Sequence, residues 1–158
     1  HFIHRDRDSL TDQEVETLRQ SYAAKGVTLW FPDLSDVEAN FCRSQFLQSF
    51  LGCTETEANV YVESVLDQNS LPIREQFNKQ RAAHNEELYK SGGSPTNDDV
   101  WATFQTRFLK GAKGKFVFKQ LKNKIPANAF SEEAILNHVL QVEIASELKN
   151  EISQILAN

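Results

Sequence analysis

Two short apolar segments flank an amphipathic helix near the start of the chain, and this arrangement constrains the fold more than any other part of the sequence. Phe2 and Ile3 begin a first strand, and residues 27–31 are β-branched and aromatic, which predicts a second strand. Between them Thr11 and Glu14 have the spacing of a capping box that starts a helix. A strand, a helix and a strand with short connections predict a βαβ unit, with parallel strands and a right-handed crossover.

The chain beyond the second strand has the pattern of a mainly helical region. Ser35 with Glu38, and Thr54 with Glu57, repeat the capping-box spacing at the starts of two further helices. Apolar residues follow each box at helical spacing, and similar segments return before the end of the chain. We therefore predict that helices follow the βαβ unit.

The predicted sheet is incomplete, because two strands alone do not make a stable parallel sheet. The chain opens inside a strand and contains no Met. We therefore expect an upstream part that supplies further strands, with later residues or a partner chain as the other sources. The predicted fold class is α/β and helix-dominated, with a partial parallel βαβ unit in residues 1–52 and a helical region in residues 53–158.

The composition is that of a globular protein, with 158 residues, of which 40% are hydrophobic and 25% are charged. No apolar run approaches the ~18 residues of a membrane span and no signal peptide opens the chain, so we predict a cytoplasmic protein without a membrane partner. Cys42 and Cys53 lack His neighbours at metal spacing, and we interpret them as reduced core cysteines. The net charge of −5 argues against generic coating of nucleic acid.

Asp6 and Asp8 follow the first predicted strand and are the sharpest candidates for chemistry. Side chains two residues apart on an extended chain share a face, so these carboxylates can hold one or two Mg²⁺ ions. The carboxyl end of a parallel strand is where α/β proteins usually place their sites, and such a pair suits phosphodiester cleavage. The alternative is a solvated loop in which the two aspartates form salt bridges with Arg5 and Arg7.

Glu38 follows the second strand and is the third acidic candidate. It can complete a metal site at the same edge of the sheet. The alternative is structural, because a capping box fully explains a Glu three residues after Ser35. The sequence leaves both interpretations open.

Six lysines lie within fifteen residues of an otherwise acidic chain, together with glycines that let a backbone approach closely. Such lysines can neutralise phosphates. The alternative is a solvated helix face with its lysines near the helix C-terminus. The glycine spacing of a phosphate-binding P-loop is absent. The six residues are Lys110, Lys113, Lys115, Lys119, Lys122 and Lys124.

These motifs occur in the order found in a known family. An Asp-x-Asp after a strand, a helix, a second strand and then residues 37–41 (Val-Glu-Ala-Asn-Phe) resemble the latter half of the Toprim domain in ATPase-coupled nucleases of the overcoming-lysogenization-defect type. In that family an Ile-Glu-Asn-Tyr type of segment follows the second strand and enters a helical insertion. A Gly-Lys before an apolar helix recurs downstream, and residues 114–118 (Gly-Lys-Phe-Val-Phe) are similar to it.

The resemblance implies a DNA endonuclease that depends on Mg²⁺ or Mn²⁺, is coupled to an upstream ATPase region of the same protein and serves in anti-phage defence. Asp6 and Asp8 would be catalytic metal ligands, with Glu38 in support. Lys115, or less favourably Lys113, would meet the scissile phosphate. The fragment alone would be inactive, because the family's first acidic residue and the ATPase part would lie upstream. The lysines expected to bind the phosphate backbone are Lys110, Lys113, Lys115 and Lys119.

Two other interpretations compete with the nuclease. The amount of helix from residue 35 onward is also typical of a non-catalytic module for partner binding or homo-oligomerisation, which an exposed patch of Phe and Trp would favour. The lysine cluster alone would suit a phosphate-binding regulator. DNA binding by such a regulator would depend on salt and not on a metal.

Overall fold

The computed structural model of the protein describes residues 1–104, 109–125 and 130–141. Helices dominate these ranges, and their strands form a parallel two-stranded sheet. The helix-dominated α/β fold class is thereby confirmed, while the Toprim-like identity of the unit stays a prediction. None of the helices in the described ranges is long and apolar enough to span a membrane.

The predicted βαβ unit is present at the start of the chain. Strand β1 (Phe2–His4) is followed by helix α1 (Asp12–Ala23) and strand β2 (Thr28–Trp30). The strands pair in parallel, with Ile3 opposite Leu29. Leu29 is buried in a small apolar core with side chains of α1. This packing holds the sheet next to the loop that carries the candidate aspartates.

Two helices begin at capping boxes that the sequence predicts. The Thr11 hydroxyl accepts a hydrogen bond from the Glu14 amide at 3.2 Å, while the Glu14 carboxylate accepts one from the Thr11 amide at 2.8 Å. Thr54 and Glu57 make the same reciprocal pair at the start of the third α-helix. Both predicted helix starts are confirmed. Each box stabilises its helix because it satisfies two backbone donors that lack partners within the helix.

Helices make up the rest of the regular structure in the described ranges. Two of them are short 3₁₀ helices, one after the sheet and one before the glycine-lysine segment. In chain order the elements are the first 3₁₀ helix (Val37–Cys42), α2 (Ser44–Leu51), α3 (Glu55–Gln68), α4 (Ser70–Leu88), α5 (Asn97–Phe104), the second 3₁₀ helix (Leu109–Gly111), α6 (Gly114–Lys124) and α7 (Glu132–Gln141).

The segment after β2 differs from its prediction. The sequence predicts a capping box of Ser35 and Glu38, but Asp36 caps the first 3₁₀ helix, and its Oδ1 accepts a hydrogen bond from the Ala39 amide at 3.0 Å. Asp36 stands one residue nearer to the helix and supplies a charged acceptor, so it takes the capping position. Ser35 and Glu38 are left to make other contacts.

The main apolar core lies between α2, α3, α6 and the first 3₁₀ helix. Leu47, Val65 and Val117 are fully buried in it. Cys42 is also fully buried there, and burial raises the pKa of its thiol well above the usual range. Cys42 and Cys53 are both free, as expected for reduced thiols that pack in or beside a core.

A buried ion pair ties α4 to the βαβ unit. Arg81 is fully buried, and its guanidinium donates to both carboxylate oxygens of Glu14 at 2.7 and 2.9 Å. The Tyr89 hydroxyl donates to the same carboxylate at 2.9 Å. Burial alone would raise the pKa of Glu14, but hydrogen bonds from Arg81, the Thr11 amide and Tyr89 outweigh it and hold that pKa below its usual range.

Replacing Arg81 by Leu should destabilise the protein by about 3–5 kcal/mol at neutral pH, because the Glu14 carboxylate stays buried without its cation. Stability that depends on ionised Glu14 is present above the pKa of the unfolded carboxyl and is lost as the pH falls through the lowered pKa of the folded state. The difference between the wild type and Arg81→Leu should therefore narrow in acid. Urea unfolding across this pH range measures both effects.

Lys110→Gln is the matched control for this prediction. It removes an exposed ion pair with Glu63, and should cost no more than about 1 kcal/mol. Equal losses of stability in the two variants, or a difference that does not change with pH, would contradict the role given to the buried pair.

Candidate functional site

The loop after β1 carries both candidate aspartates. The Arg5 amide still donates to the Trp30 carbonyl at 3.0 Å, and the chain then leaves the sheet. Asp8 has a φ of 49°, in the left-handed region that Asp tolerates better than most residues, and its amide donates to the Ser35 carbonyl at 2.6 Å. The extended backbone assumed in the sequence argument therefore does not reach Asp8, and Asp6 and Asp8 have separate sets of partners.

Basic groups from two parts of the chain lie close to the Asp6 carboxylate. Its carboxylate lies 3.6 Å from His4 Nε2 and 3.3 Å from Lys115 Nζ. The same Lys115 ammonium lies 3.8 Å from Glu38 Oε1. The hydrogen bond with Asp6, together with the nearby acidic charges, raises the pKa of Lys115. A cation thus stands between two carboxylates, and its side chain is 52% exposed.

Asp8 contacts a lysine and an amide. Its Oδ1 lies 2.9 Å from Lys113 Nζ and accepts a hydrogen bond from Gln80 Nε2 at 2.8 Å. Gln80 lies on α4, 72 residues away in sequence, and no motif around it points to this contact. The second aspartate is therefore held between α4 and the segment that begins α6.

Arg5 and Arg7, the arginines next to the aspartates, connect the loop to two different helices. Arg5 donates to the two carboxylate oxygens of Glu87 on α4 at 2.8 and 2.6 Å. Arg7 pairs with Asp12 at the start of α1 and donates to the Leu10 carbonyl at 3.1 Å. These contacts fix the loop between α4 and α1, while lysines approach the aspartates from the start of α6.

Asp36 places those lysines beside the loop, and the sequence analysis missed it as a site residue. One carboxylate oxygen caps the first 3₁₀ helix, and the other accepts a hydrogen bond from the Lys115 amide at 3.1 Å. The Ser35 hydroxyl accepts one from the Gly114 amide at 3.1 Å. Asp36 is fully buried, and burial raises the pKa of its carboxyl above the usual range. Asp36 therefore fixes the start of α6.

Gly114 permits the close approach of these two segments. A Cβ at this position would lie 2.0 Å from Asp36 Oδ1 and 2.2 Å from the Ala39 amide nitrogen. Only a residue without a side chain fits where α6 meets the first 3₁₀ helix. The Gly-Lys order therefore has a physical meaning: the glycine brings the helix start against Asp36, and the following lysine reaches Asp6.

Two of the four predicted phosphate-binding lysines lie outside this cluster. Lys110 pairs with Glu63 and lies 3.6 Å from Asp67, both on α3, and the hydrogen bond with Glu63 raises its pKa. Lys119 is exposed on α6, one turn beyond Lys115. The other two lysines, Lys113 and Lys115, lie next to the aspartates.

His84 is another group that the sequence analysis did not select. It is buried on α4, one turn after Gln80, and burial lowers the pKa of its imidazole, so the ring is neutral at pH 7. The charge of Asp8 acts on the pKa of this ring in the opposite direction. Its Nε2 makes no hydrogen bond within the described part of the chain.

The cluster fits a metal ion only in part. Asp6, Asp8 and Glu38 supply carboxylate oxygens, which are ligands that Mg²⁺ and Mn²⁺ prefer. Residues 1–104, 109–125 and 130–141, however, contain no group of three His, Cys, Asp or Glu side chains that could hold a metal ion. A lysine ammonium stands beside each of the three carboxylates instead.

Comparisons of the chain with models of protein families, with curated proteins and with solved structures found no match. They neither support nor oppose the resemblance to the Toprim domain.

Replacing Gly114 by Ala should destabilise the protein by about 1–3 kcal/mol or more, because the new methyl group overlaps Asp36 and the Ala39 backbone. In a helix with free space at this position the same change would stabilise the protein by about 0.5–1 kcal/mol. The sign of the change in the free energy of unfolding therefore shows whether Gly114 is in close contact with the first 3₁₀ helix. Urea unfolding measures it. Lys119→Ala, at an exposed position of α6, is the control and should change stability by less than about 0.5 kcal/mol. A stabilised Gly114→Ala variant would refute the close approach.

Proposed function

We propose that this chain contributes part of the site of a DNA endonuclease that hydrolyses phosphodiester bonds with Mg²⁺ or Mn²⁺. The observation that carries the proposal is the position of Lys115 Nζ, 3.3 Å from Asp6 and 3.8 Å from Glu38, although Lys115 and Asp6 are 109 residues apart. A lysine for the phosphate and carboxylates for a cation are groups that phosphodiester cleavage uses. The site combines both in one cluster.

The lysines lie where phosphate binding is favourable. Lys113 immediately precedes α6 and Lys115 lies in its first turn, at the positive end of the helix dipole. A phosphate drawn to this helix end would compete with Asp6 and Asp8 for the two ammonium groups. It would thereby release the carboxylates to bind a cation, and the lysines would neutralise charge on the phosphate oxygens.

Asp6 and Asp8 are the residues that would hold the metal ion, with Glu38 in support. A divalent ion bound there would polarise the phosphate oxygens and lower the pKa of a bound water. Because the described residues supply an incomplete ligand set, the proposal places further ligands outside them.

The proposal includes the partners that the resemblance implies. DNA would bind through its phosphate backbone, and an ATPase region of the same protein would gate cleavage. The 158-residue chain alone would bind DNA without cleaving it. A homo-oligomer, a cytoplasmic location and a role in anti-phage defence belong to the same proposal.

The alternative of a non-catalytic interaction module has less support. Such a module predicts a contiguous exposed patch of Phe and Trp side chains. Among the large apolar side chains that are exposed in the described ranges, Phe2 is the only aromatic one. Ile3 shares β1 with it, and the others, Val60, Leu71 and Leu136, lie on three different helices.

Replacing Lys115 by Gln should weaken the binding of a short duplex DNA several-fold at low salt, because a phosphate contact is lost. The slope of log K against log salt concentration should also fall in magnitude by about one. Fluorescence anisotropy of a labelled duplex, in a salt series at constant Mg²⁺, measures both quantities.

Lys110→Gln is the control for this experiment, because it removes the same charge from a lysine that pairs with Glu63 and Asp67 on α3. It should leave DNA affinity nearly unchanged. Equal losses in Lys110→Gln and Lys115→Gln would mean a general effect of net charge, and would count against the proposed site.

Replacing Asp6 by Asn should weaken the binding of Mn²⁺, on the order of tenfold, because a charged oxygen ligand is removed. Titration of the chain with Mn²⁺, followed by electron paramagnetic resonance, measures the free ion directly. Asp67→Asn is the matched control, since it changes an exposed aspartate that faces Lys110. Equal binding of Mn²⁺ by Asp6→Asn and Asp67→Asn would remove Asp6 from the metal site.

A further inference from the structure

A groove opens beside the carboxylate–lysine cluster and shares two residues with it. Its volume is about 440 Å³, which lies in the range of sites that hold small organic ligands. Glu38, Lys115 and Glu132 line it together with apolar side chains of the first 3₁₀ helix, α6 and α7. A ligand in the groove would therefore touch the proposed phosphate site.

Aromatic and aliphatic side chains form most of the groove. The rings of Phe41 and Phe118 meet edge to face, with centroids 6.5 Å apart at an angle of 61°, and both side chains are half-buried. Leu136 on α7 also lines the groove and is 62% exposed. Binding of a flat apolar ligand is favoured at such a surface, because the ligand displaces water from apolar side chains.

A row of lysines on α6 begins at the groove with Lys115. Lys115, Lys119 and Lys122 are spaced four and three residues apart, so they lie on one side of the helix. Phe118 lies beside this row, and Lys122 Nζ lies 5.5 Å from the centroid of its ring and 3.3 Å from Glu132 Oε1. Positive charges in a row beside aromatic rings are the arrangement that binds the backbone and bases of a single strand.

The covalent structure of a nucleotide explains how one ligand could use both the groove and the lysines on α6. Its base is linked to its phosphate through one sugar, so a phosphate at Lys115 carries its base to the edge of the groove. A base inside a duplex is paired and stacked on its neighbours and cannot enter. An unpaired base presents its ring faces to aromatic side chains.

We propose that the groove binds one unpaired nucleobase of a DNA strand whose phosphates contact Lys115 and the lysines that follow it on α6. The proposal rests on the proposed function, from which it takes the position of the phosphate. Phe41 and Phe118 hold the base, and Leu136 covers it from α7. The substrate class is therefore DNA with a single-stranded segment, such as a frayed end, a gap or a displaced strand.

The test compares the binding of a labelled single strand and of a blunt duplex of the same length to the full 158-residue chain. Phe118→Leu removes the ring but keeps an apolar side chain, and should weaken single-strand binding on the order of tenfold. Leu136→Gln should weaken it in the same direction. Leu71→Gln is the matched control, because Leu71 is 76% exposed on α4, and should have no effect. Duplex binding should not change in any of the three variants.

A second measurement reports on the base itself. An oligonucleotide that carries 2-aminopurine should lose fluorescence when the analogue stacks in the groove of the wild-type chain, and should keep it with Phe118→Leu. Urea unfolding establishes that each variant is folded. Since Leu136 is largely exposed, Leu136→Gln keeps the test valid even if Phe118→Leu destabilises the core.

The outcomes separate this inference from the proposed function. If Lys115→Gln weakens binding but Phe118→Leu and Leu136→Gln do not, the groove holds no base and the phosphate site stands. If Lys115→Gln has no effect either, both proposals fail. Equal losses for single strand and duplex in Phe118→Leu would overturn the inference. A change of oligomeric state in Leu136→Gln would also overturn it, because a second copy of the chain would then cover the groove.

Discussion

The carboxylate of Asp36 accepts a hydrogen bond from each of two helix starts, and the candidate site depends on that arrangement. One oxygen receives the Ala39 amide, and the other receives the Lys115 amide, 79 residues away in sequence. Burying a carboxylate costs free energy unless its oxygens are hydrogen-bonded, and Asp36 is fully buried. The two backbone donors offset part of that cost, and burial still raises the pKa of the carboxyl. Any displacement of α6 would leave a buried oxygen without its donor, so the positions of the lysines are as well fixed as the helix that carries them.

The position of α6 sets the charge balance at the loop after β1. Two ammonium groups face three carboxylates there, so these groups keep an excess of negative charge that attracts further cations. A phosphate that engaged the ammonium groups would increase this excess. Phosphate binding and cation binding would then favour each other, since each relieves the charge that the other leaves unbalanced. The three carboxylates are those of Asp6, Asp8 and Glu38, and the two ammonium groups are those of Lys113 and Lys115.

The parts of the structure that could be predicted from the sequence are those whose partners are close along the chain. The capping boxes at Thr11 and Thr54 join residues three apart, and the βαβ unit follows from consecutive elements. The box at Ser35 failed because Asp36, the next residue, is an equally good cap by local rules and gains a second donor from α6. Gln80 contacts its aspartate across 72 residues, and no local pattern could reveal it. The expectation that a lysine lies near the aspartates follows from the resemblance to the Toprim domain and not from the spacing of residues in the sequence.

The site also draws on both predicted parts of the chain. The aspartates lie in residues 1–52, whereas the groups that hold them lie in residues 53–158. Helix α4 contacts the loop after β1 through Gln80, Arg81, which donates to the Ser9 carbonyl, and Glu87. The start of α6 approaches the same loop with its lysines. Without these helices the aspartates after β1 would lose their lysine and glutamine partners. The helical region is therefore part of the site: it orients the acidic loop and supplies the positive charges that a phosphate would require.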